Sequence, residues 1–410
     1  MIKRNITNNI LEALEDTPVI FLRGARQTGK TTLVKNINGN FSAHYITLDD
    51  ATVLSGVKSD PAGFLAGIDR PVIIDEVQKA PELFPAIKID VDNNRKPGMF
   101  ILTGSSNILT SIKISDSLAG RMEILDLWPL SQGEINGFCE SFIDAAFDSK
   151  QKGFKFSEPN RMDFCRMILK GGYPEAVQRI SVKRRSAWFD SYITSILERD
   201  IRDIAQIQDL MAVTGLLKLL ATRTANLLNY ADISRNVSIP QTTIKRYMSL
   251  LKQIFLIYEL PAWFSNLGKR LMKSPKLMFT DTAFVTNLTG FNHERLMENP
   301  QFTGALIENF VASEIYKQAS WSKTSVSLFH YRNQAGNEVD IVLEDRSGKV
   351  VGIEIKSSSS VTAKDFTGLK HLNDSLNDKF IRGIILYFGK NSVPFGENLH
   401  AVPITAIWEN

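Results

Sequence analysis

A chain of 410 residues is too long for one ordinary hydrophobic core, so two or three domains are expected. With 43% apolar and 22% charged residues and no repeat or biased tract, it reads as a soluble globular protein rather than a solenoid or low-complexity chain. The formal net charge of +4 admits an acidic partner without demanding one. No apolar run reaches bilayer length and the acid-containing N-terminus is unlike a signal peptide, so a cytoplasmic location and no membrane partner are expected. Cys139 and Cys165 have neither metal-ligand spacing nor a disulfide framework and read as buried, inert thiols.

The first element is "TPVIFLRGARQTGKTTLVKNI", an apolar strand that runs through a glycine-rich turn into a helix. The turn, Gly24, Ala25, Arg26, Gln27, Thr28, Gly29, Lys30 and Thr31, matches the P-loop pattern in full, with Thr32 directly after it. The glycines let backbone N–H groups turn inward around phosphates, and the helix offers its positive end. Lys30 is expected to reach the β and γ phosphates of ATP, and the Thr31 hydroxyl to ligate Mg²⁺.

"RPVIIDEVQKAPELF" then gives a fully apolar strand ending in an acidic pair. Asp75 is expected to hold Mg²⁺ and Glu76 to activate the attacking water. In "GMFILTGSSNILTS" a further strand runs into small polar residues. Ser105 or Asn107 could sense the γ-phosphate there, and helix capping by Ser105 or Ser106 is the competing reading. Arg121, between a helix and a strand, suits either an arginine finger acting on a neighbouring subunit or an ordinary surface position.

The pieces "FLRGARQTGKTTL", "PVIIDEVQKAPELF", "FILTGSSN" and "SLAGR" resemble AAA+ ATPases of the bacterial and archaeal group fused to a C-terminal nuclease-like domain. The resemblance spans essentially the whole chain. It implies a helical lid carrying "GGYPE", Gly171 to Glu175, in which Pro174 touches the adenine; a plain tight turn is the alternative. It also implies a homo-oligomer, plausibly a hexamer-like ring. "SILERDI", Ser195 to Ile201, matches the family without a physical account.

Polar stretches at 148–160 and 290–304 place the boundaries: an ATPase domain at 1–147, a lid and linker at 148–206, a middle module at 207–290 and a C-terminal domain at 291–410. The middle reads as a winged helix. "NYADISRNV" is a short helix, "SI" a turn and "PQTTIKRYMSLLKQ" a second helix, with Pro240 in its first turn. Ile244, Tyr247, Met248 and Leu251 form its buried stripe. Lys245, Arg246 and Lys252 lie off the stripe, where they either meet DNA phosphates or simply face solvent while the module packs domains together. Lys269, Arg270, Lys273 and Lys276 form the densest basic patch and extend the expected DNA surface.

In the C-terminal part, "GNEVDIVLEDRSGKVVGIEIKSS" reads as a strand hairpin. Alternation puts Glu338 and Asp340 on one face and Val339 and Ile341 on the other, while Glu354 and Lys356 oppose Ile353 and Ile355. Two acids and a lysine on otherwise apolar strands are what a metal-dependent phosphodiesterase needs; cross-strand charge pairing is the plainer alternative. Asp340 followed by "EIK" resembles the PD-(D/E)xK nuclease superfamily, which implies another acid on a preceding helix. Glu308 is the natural choice, and Glu338 could supplement it. Mg²⁺ or Mn²⁺ would be the nuclease cofactor, and the similarity of the core to archaeal Holliday-junction resolvases implies branched DNA as substrate. The expected architecture is therefore α/β: an AAA+ P-loop domain with a helical lid, a winged helix, and an α/β nuclease-like domain. Two other readings compete: a DNA-binding nucleotide switch whose nuclease-like domain does not cleave, and a cargo-remodelling ATPase that uses that domain for docking.

Overall fold

The structure, a computed structural model, describes residues 2–410 apart from 105–117, 152, 202–209, 267, 269, 271–272 and 334. Ser105, Ser106, Asn107 and Lys269 therefore lie outside the described residues.

The N-terminal sheet is built from β1 (Val19–Arg23), β2 (His44–Thr47), β3 (Val72–Asp75), β4 (Phe100–Gly104) and β5 (Met122–Asp126). They lie parallel in the order β2-β3-β4-β1-β5. The central strands are apolar on both sides because helices cover both faces. Ile20, Leu22, Ile73 and Ile101 fill one face with Leu33, Val34 and Ile37 of the helix Lys30–Phe41. Phe21, Ile74 and Leu102 fill the other with Phe84 and Ile87 of the helix Leu83–Asn93. This two-sided packing fixes where the polar C-terminal ends of β1 and β3 emerge.

Among the described residues the middle of the chain is mainly helical until β6 (Ile257–Leu260) and β7 (Lys276–Phe279) form an antiparallel ribbon. Helices Tyr230–Val237 and Gln241–Gln253 precede it, and Pro240 caps the second from outside rather than sitting in its first turn. The expected stripe is buried: Ile244, Tyr247, Met248 and Leu251 all point into the core.

A second sheet follows the long helix Pro300–Gln318. It comprises β8 (Val326–Arg332), β9 (Glu338–Asp345), β10 (Val350–Ile355), β11 (Phe380–Tyr387), β12 (Val393–Pro394) and β13 (Leu399–Pro403), in the order β12-β13-β11-β10-β9-β8. The sheet is mixed: β8, β9 and β10 pair antiparallel, β10, β11 and β13 parallel. The long helix packs on one face and the helix Thr367–Leu376 on the other. One core runs unbroken from Trp128 through the middle helices to Trp408.

Strict alternation fails in β9. A register shift against β8 sets Asp340 and Ile341 together opposite His330. Val339 consequently packs in the cluster with Phe366 and Leu369, while Ile341 joins the core shared with the long helix. The expected common face for Val339 and Ile341 is thus corrected by a bulge, a device that re-aims one side chain and is enriched beside functional sites. The side chain beside this bulge is Asp340. Cys165 is buried as expected, but Cys139 is exposed.

Candidate functional site

At the end of β1 the chain turns sharply into the helix Lys30–Phe41. Gly29 has φ of 96°, which a side chain would strain, and a Cβ on Gly24 would lie 2.3 Å from the Leu127 carbonyl oxygen. Gly24, Ala25, Thr28 and Lys30 are buried, Arg26, Gly29 and Thr31 half-buried, and Gln27 and Thr32 exposed. Lys30 Nζ donates to the carbonyls of Gly24 (3.0 Å) and Ala25 (2.8 Å).

The expected metal pair meets directly: Thr31 Oγ1 donates to Asp75 Oδ2 at 2.8 Å. Tyr45 on β2 donates to the same oxygen at 2.8 Å, and Thr103 on β4 donates to Asp75 Oδ1. Burial and the Asp75 charge push the Tyr45 hydroxyl pKa upward, so it stays a donor. Glu76 follows with φ of 61°, a conformation unusual for a residue with a side chain and one that concentrates at functional sites. Its backbone N–H donates to Thr103 Oγ1 (3.2 Å), and its carboxylate accepts from Gln78.

Tyr45, Thr103 and Gln78 were not foreseen, because each is an ordinary residue until β2, β3 and β4 are placed side by side. Arg121 is tied within its own chain to Asp92, with Nε 2.5 Å and Nη2 3.0 Å from the carboxylate. Its hydrogen bond lowers the Asp92 pKa. Pro174, half-buried, starts the short helix Pro174–Gln178 after Gly172, whose N–H donates to Asp281 (2.7 Å). Tyr192 on the helix Val182–Ile196 donates to the Arg26 carbonyl at 3.0 Å, so the helical region reaches the P-loop.

A buried polar network also leaves the P-loop. Arg4 donates from Nη1 to the Thr28 carbonyl (2.9 Å), from Nη2 to the Trp128 carbonyl (2.6 Å) and from Nε to Glu134 (3.1 Å). Nearby, Glu314 on the long helix accepts from the Gln132 N–H (2.7 Å), and Lys317 donates to Glu314 (2.6 Å) and to the Leu130 carbonyl (3.1 Å). The same helix carries Glu308, less than two turns earlier.

Glu308 is one corner of the second site, beside Asp340 of β9 and Glu354 of β10. Asp340 Oδ2 accepts the Ile355 N–H (2.9 Å), which fixes it at the point where β9 and β10 stop pairing. Lys356 Nζ donates to Glu354 Oε1 at 2.8 Å, and Glu354 Oε2 is buried with no hydrogen-bond partner. Burial first and the Asp340 charge second push the Glu308 carboxyl up to about 8, against Lys276. The same two causes push Glu354 up to about 8, against Lys356. Glu338, by contrast, turns away to Arg332 at the rim (2.8 Å).

Lys276, expected on a DNA-facing basic patch, is instead buried here. Its Nζ lies 2.5 Å from Glu308 Oε1 and 3.5 Å from Asp340 Oδ1. Burial opposes its charge, but Glu308 and Asp340 outweigh that and raise its pKa. Arg270 of the same expected patch is spent on Glu344 (2.5 and 2.9 Å), and Lys252 on Glu259 (3.1 Å). Lys245 and Arg246 remain on the exposed side of their helix, with Lys245 over the Tyr230 ring. A lysine opening the otherwise apolar "KLMF" strand was the signal for Lys276, the same signal that singled out Glu354.

Among the described residues no three acidic, histidine or cysteine side chains already stand close enough to share one metal ion. Lys276 pairs with Glu308 and Asp340, Lys356 with Glu354, and Asp340 also accepts a backbone amide. The donor set nevertheless fits a hard divalent cation, being all carboxylate oxygen with one buried oxygen unpartnered.

The parallel sheet, the P-loop and the Thr31–Asp75 pair define a P-loop ATPase fold in the N-terminal part of the chain. Residues 16–136 match the family described as AAA domain, residues 161–295 a domain of unknown function, DUF8612, and residues 303–407 another, DUF4143. Uncharacterized proteins of Mycobacterium tuberculosis and Mycobacterium bovis are each 29% identical over 407 residues, covering 99% of this chain and 84% of the relative. Among solved structures, the Walker-type ATPase of Pyrococcus abyssi is 17% identical, covers 70% of this chain and 96% of its own, and superposes with a TM-score of 0.45. The RuvB Holliday junction branch migration motor of Thermotoga maritima is 18% identical over 63% of this chain and 89% of its own, with a TM-score of 0.28. No helix among the described residues is long and apolar enough to cross a membrane.

Proposed function

We propose that this protein is an ATP-dependent DNA-processing enzyme whose N-terminal unit hydrolyses ATP and whose C-terminal sheet cleaves phosphodiester bonds. The observation that carries the second half is the meeting of Glu308, Asp340, Glu354 and Lys356 from a helix and two strands, with Glu354 Oε2 left unpaired. Lys356 holds Glu354 through one oxygen only, and leaving the other buried without a partner is costly.

In the ATPase unit Lys30 neutralises the β and γ phosphates, Thr31 and Asp75 hold Mg²⁺, and Glu76 takes a proton from water. Pro174 borders the adenine. Arg121 leaves Asp92 to act across a subunit interface of a homo-oligomeric ring. In the C-terminal site Glu308, Asp340 and Glu354 supply the oxygen ligands for Mg²⁺ or Mn²⁺. A divalent cation held there would polarise the scissile phosphate and acidify water. Lys356 steadies the charge that builds on the transferred phosphoryl group. The helices before the β6–β7 ribbon act as a winged helix, with Lys245 and Arg246 against DNA phosphates, and branched DNA is the substrate assigned. A non-cleaving switch is the second reading, favoured by one observation: Lys276 already neutralises two of the acids.

The test is cleavage of labelled linear, forked and four-way DNA with Mg²⁺ or Mn²⁺, with and without ATP, beside Asp340→Ala and Lys30→Ala. Cutting that disappears with Asp340→Ala supports the enzyme, and the preferred substrate names its task. DNA-stimulated ATP hydrolysis without cutting by any form, including one lacking Lys276, supports the switch.

A further inference from the structure

Lys276 belongs neither to the second sheet nor to the helix that carry the acids. It opens β7, a buried strand whose Phe279 N–H donates to Asn309 of the acid-bearing helix (2.7 Å), and the segment that follows β6 lies along the second sheet. The Trp263 N–H donates to the His330 carbonyl (2.6 Å) and the His330 N–H to the Pro261 carbonyl (2.9 Å), while the Leu228 N–H ties Pro275 to the middle helices instead (2.8 Å). Arg270, in the segment joining β6 to β7, clamps Glu344 of β9. The ribbon is thus seated along the β8–β9 edge, and from that seat one ammonium enters the acid cluster.

We propose that Lys276 is a built-in counter-cation, so that its ammonium and a divalent metal are alternative occupants of the Glu308–Asp340 carboxylate pair. The inference rests on reading the cluster as a metal site and adds what controls its occupancy. Three observations carry it. The ammonium touches the two acids that a metal would share, at 2.5 and 3.5 Å. Its side chain is only 10% exposed, against 32% for Lys356, so a phosphate arriving from solvent meets Lys356 first. Lys276 is therefore poorly placed to bind substrate and well placed to balance charge. Finally, Glu354, which Lys356 holds by one oxygen and for which no contact with Lys276 is seen, keeps its other oxygen buried and unpartnered, as expected where an ammonium stands in for a cation that could reach all three acids.

The consequence is a coupling between module and site. Metal entry requires the ammonium to withdraw, and its reach is set by the ribbon that follows the helix bearing Lys245 and Arg246.

The experiment is Mn²⁺ titration of the full-length, nucleotide-free protein, read by the electron paramagnetic resonance of free Mn²⁺. Wild type is compared with Lys276→Met, Lys276→Gln and Lys276→Arg, and each with Asp340→Asn added. ATP hydrolysis reports that each variant is folded. Removing the ammonium leaves two buried acids short of a cation, so Lys276→Met and Lys276→Gln should bind Mn²⁺ tighter by on the order of tenfold or more, with the gain lost on adding Asp340→Asn. Lys276→Arg, which keeps the charge, should bind no tighter than wild type. Should Lys276→Met fail to fold, the glutamine and arginine variants carry the comparison. Asp340-dependent Mn²⁺ binding that is unchanged or weaker in Lys276→Gln overturns the counter-cation while leaving the metal site standing. Absence of Asp340-dependent binding in every form overturns the metal site itself.

Discussion

Replacing Arg4 by alanine should damage the ATPase unit far more than a residue near the N-terminus ordinarily would. Arg4 is buried and its partner Glu134 has a side chain with 0% exposure. Truncation strands that carboxylate, although the Asn5 and Ser131 N–H groups still donate to it at 2.7 and 3.1 Å. Breaking a buried pair from one side costs about 3–5 kcal/mol, and the Thr28 and Trp128 carbonyls each lose a donor worth about 1 kcal/mol. These losses share one network and do not add, so about 4 kcal/mol is the working figure. Over a unit of this size that lowers the melting temperature by roughly 8–16 °C. Arg4→Lys keeps the charge but not the fork, which serves three acceptors at once, and should recover less than half of the loss. The assays are thermal unfolding and binding of a fluorescent ADP analogue, which should weaken because Thr28 is part of the P-loop. A loss below 1 kcal/mol with unchanged nucleotide affinity would refute the reasoning.

Two further outcomes concern the sites. Glu76→Gln should retain ATP binding and lower turnover by about 10²–10⁴-fold, whereas Lys30→Ala should lose nucleotide binding; normal hydrolysis by Glu76→Gln would remove Glu76 as the base. The pH dependence of stability follows from the two raised carboxyls, Glu308 and Glu354, each pushed to about 8 from an ordinary 4.5. Between those values the folded chain holds protons that the unfolded chain has released, so metal-free stability should fall as pH rises from about 4.5 to about 8. Glu354→Gln should flatten that slope, and saturating Mn²⁺ should abolish it, because the metal displaces the same protons and neither state then holds them above about 4.5. Parallel pH profiles for wild type and Glu354→Gln would contradict the assignment.

The sequence made the nucleotide site legible where chemistry and backbone are specified together. An apolar strand, a turn needing glycine and a helix locate Lys30 and Thr31, and a second apolar strand ending in acids locates Asp75. It also picked out Asp340, Glu354 and Lys356 from polar residues on apolar strands, and Glu308 from the resemblance to a nuclease pattern. What stayed hidden are partners from distant segments. Arg4 meets Trp128, and Tyr45 meets Asp75, through a sheet order that periodicity does not encode. Lys276 was assigned to a basic patch because its neighbours in the chain are basic, yet burial depends on neighbours in space. The bulge that sets Asp340 and Ile341 side by side is a property of pairing with β8, so alternation within β9 alone missed it.

The central claim is that Glu308, Asp340 and Glu354 form a divalent-cation site. Its most direct test is anomalous diffraction at the manganese edge from Mn²⁺-soaked crystals of wild type and Lys276→Met. A peak is expected in Lys276→Met at about 2.0–2.6 Å from oxygens of Glu308, Asp340 and Glu354. Wild type should show it weaker or only at higher Mn²⁺. A peak confined to the Thr31–Asp75 site, or none at the acid cluster in either protein, would contradict the claim.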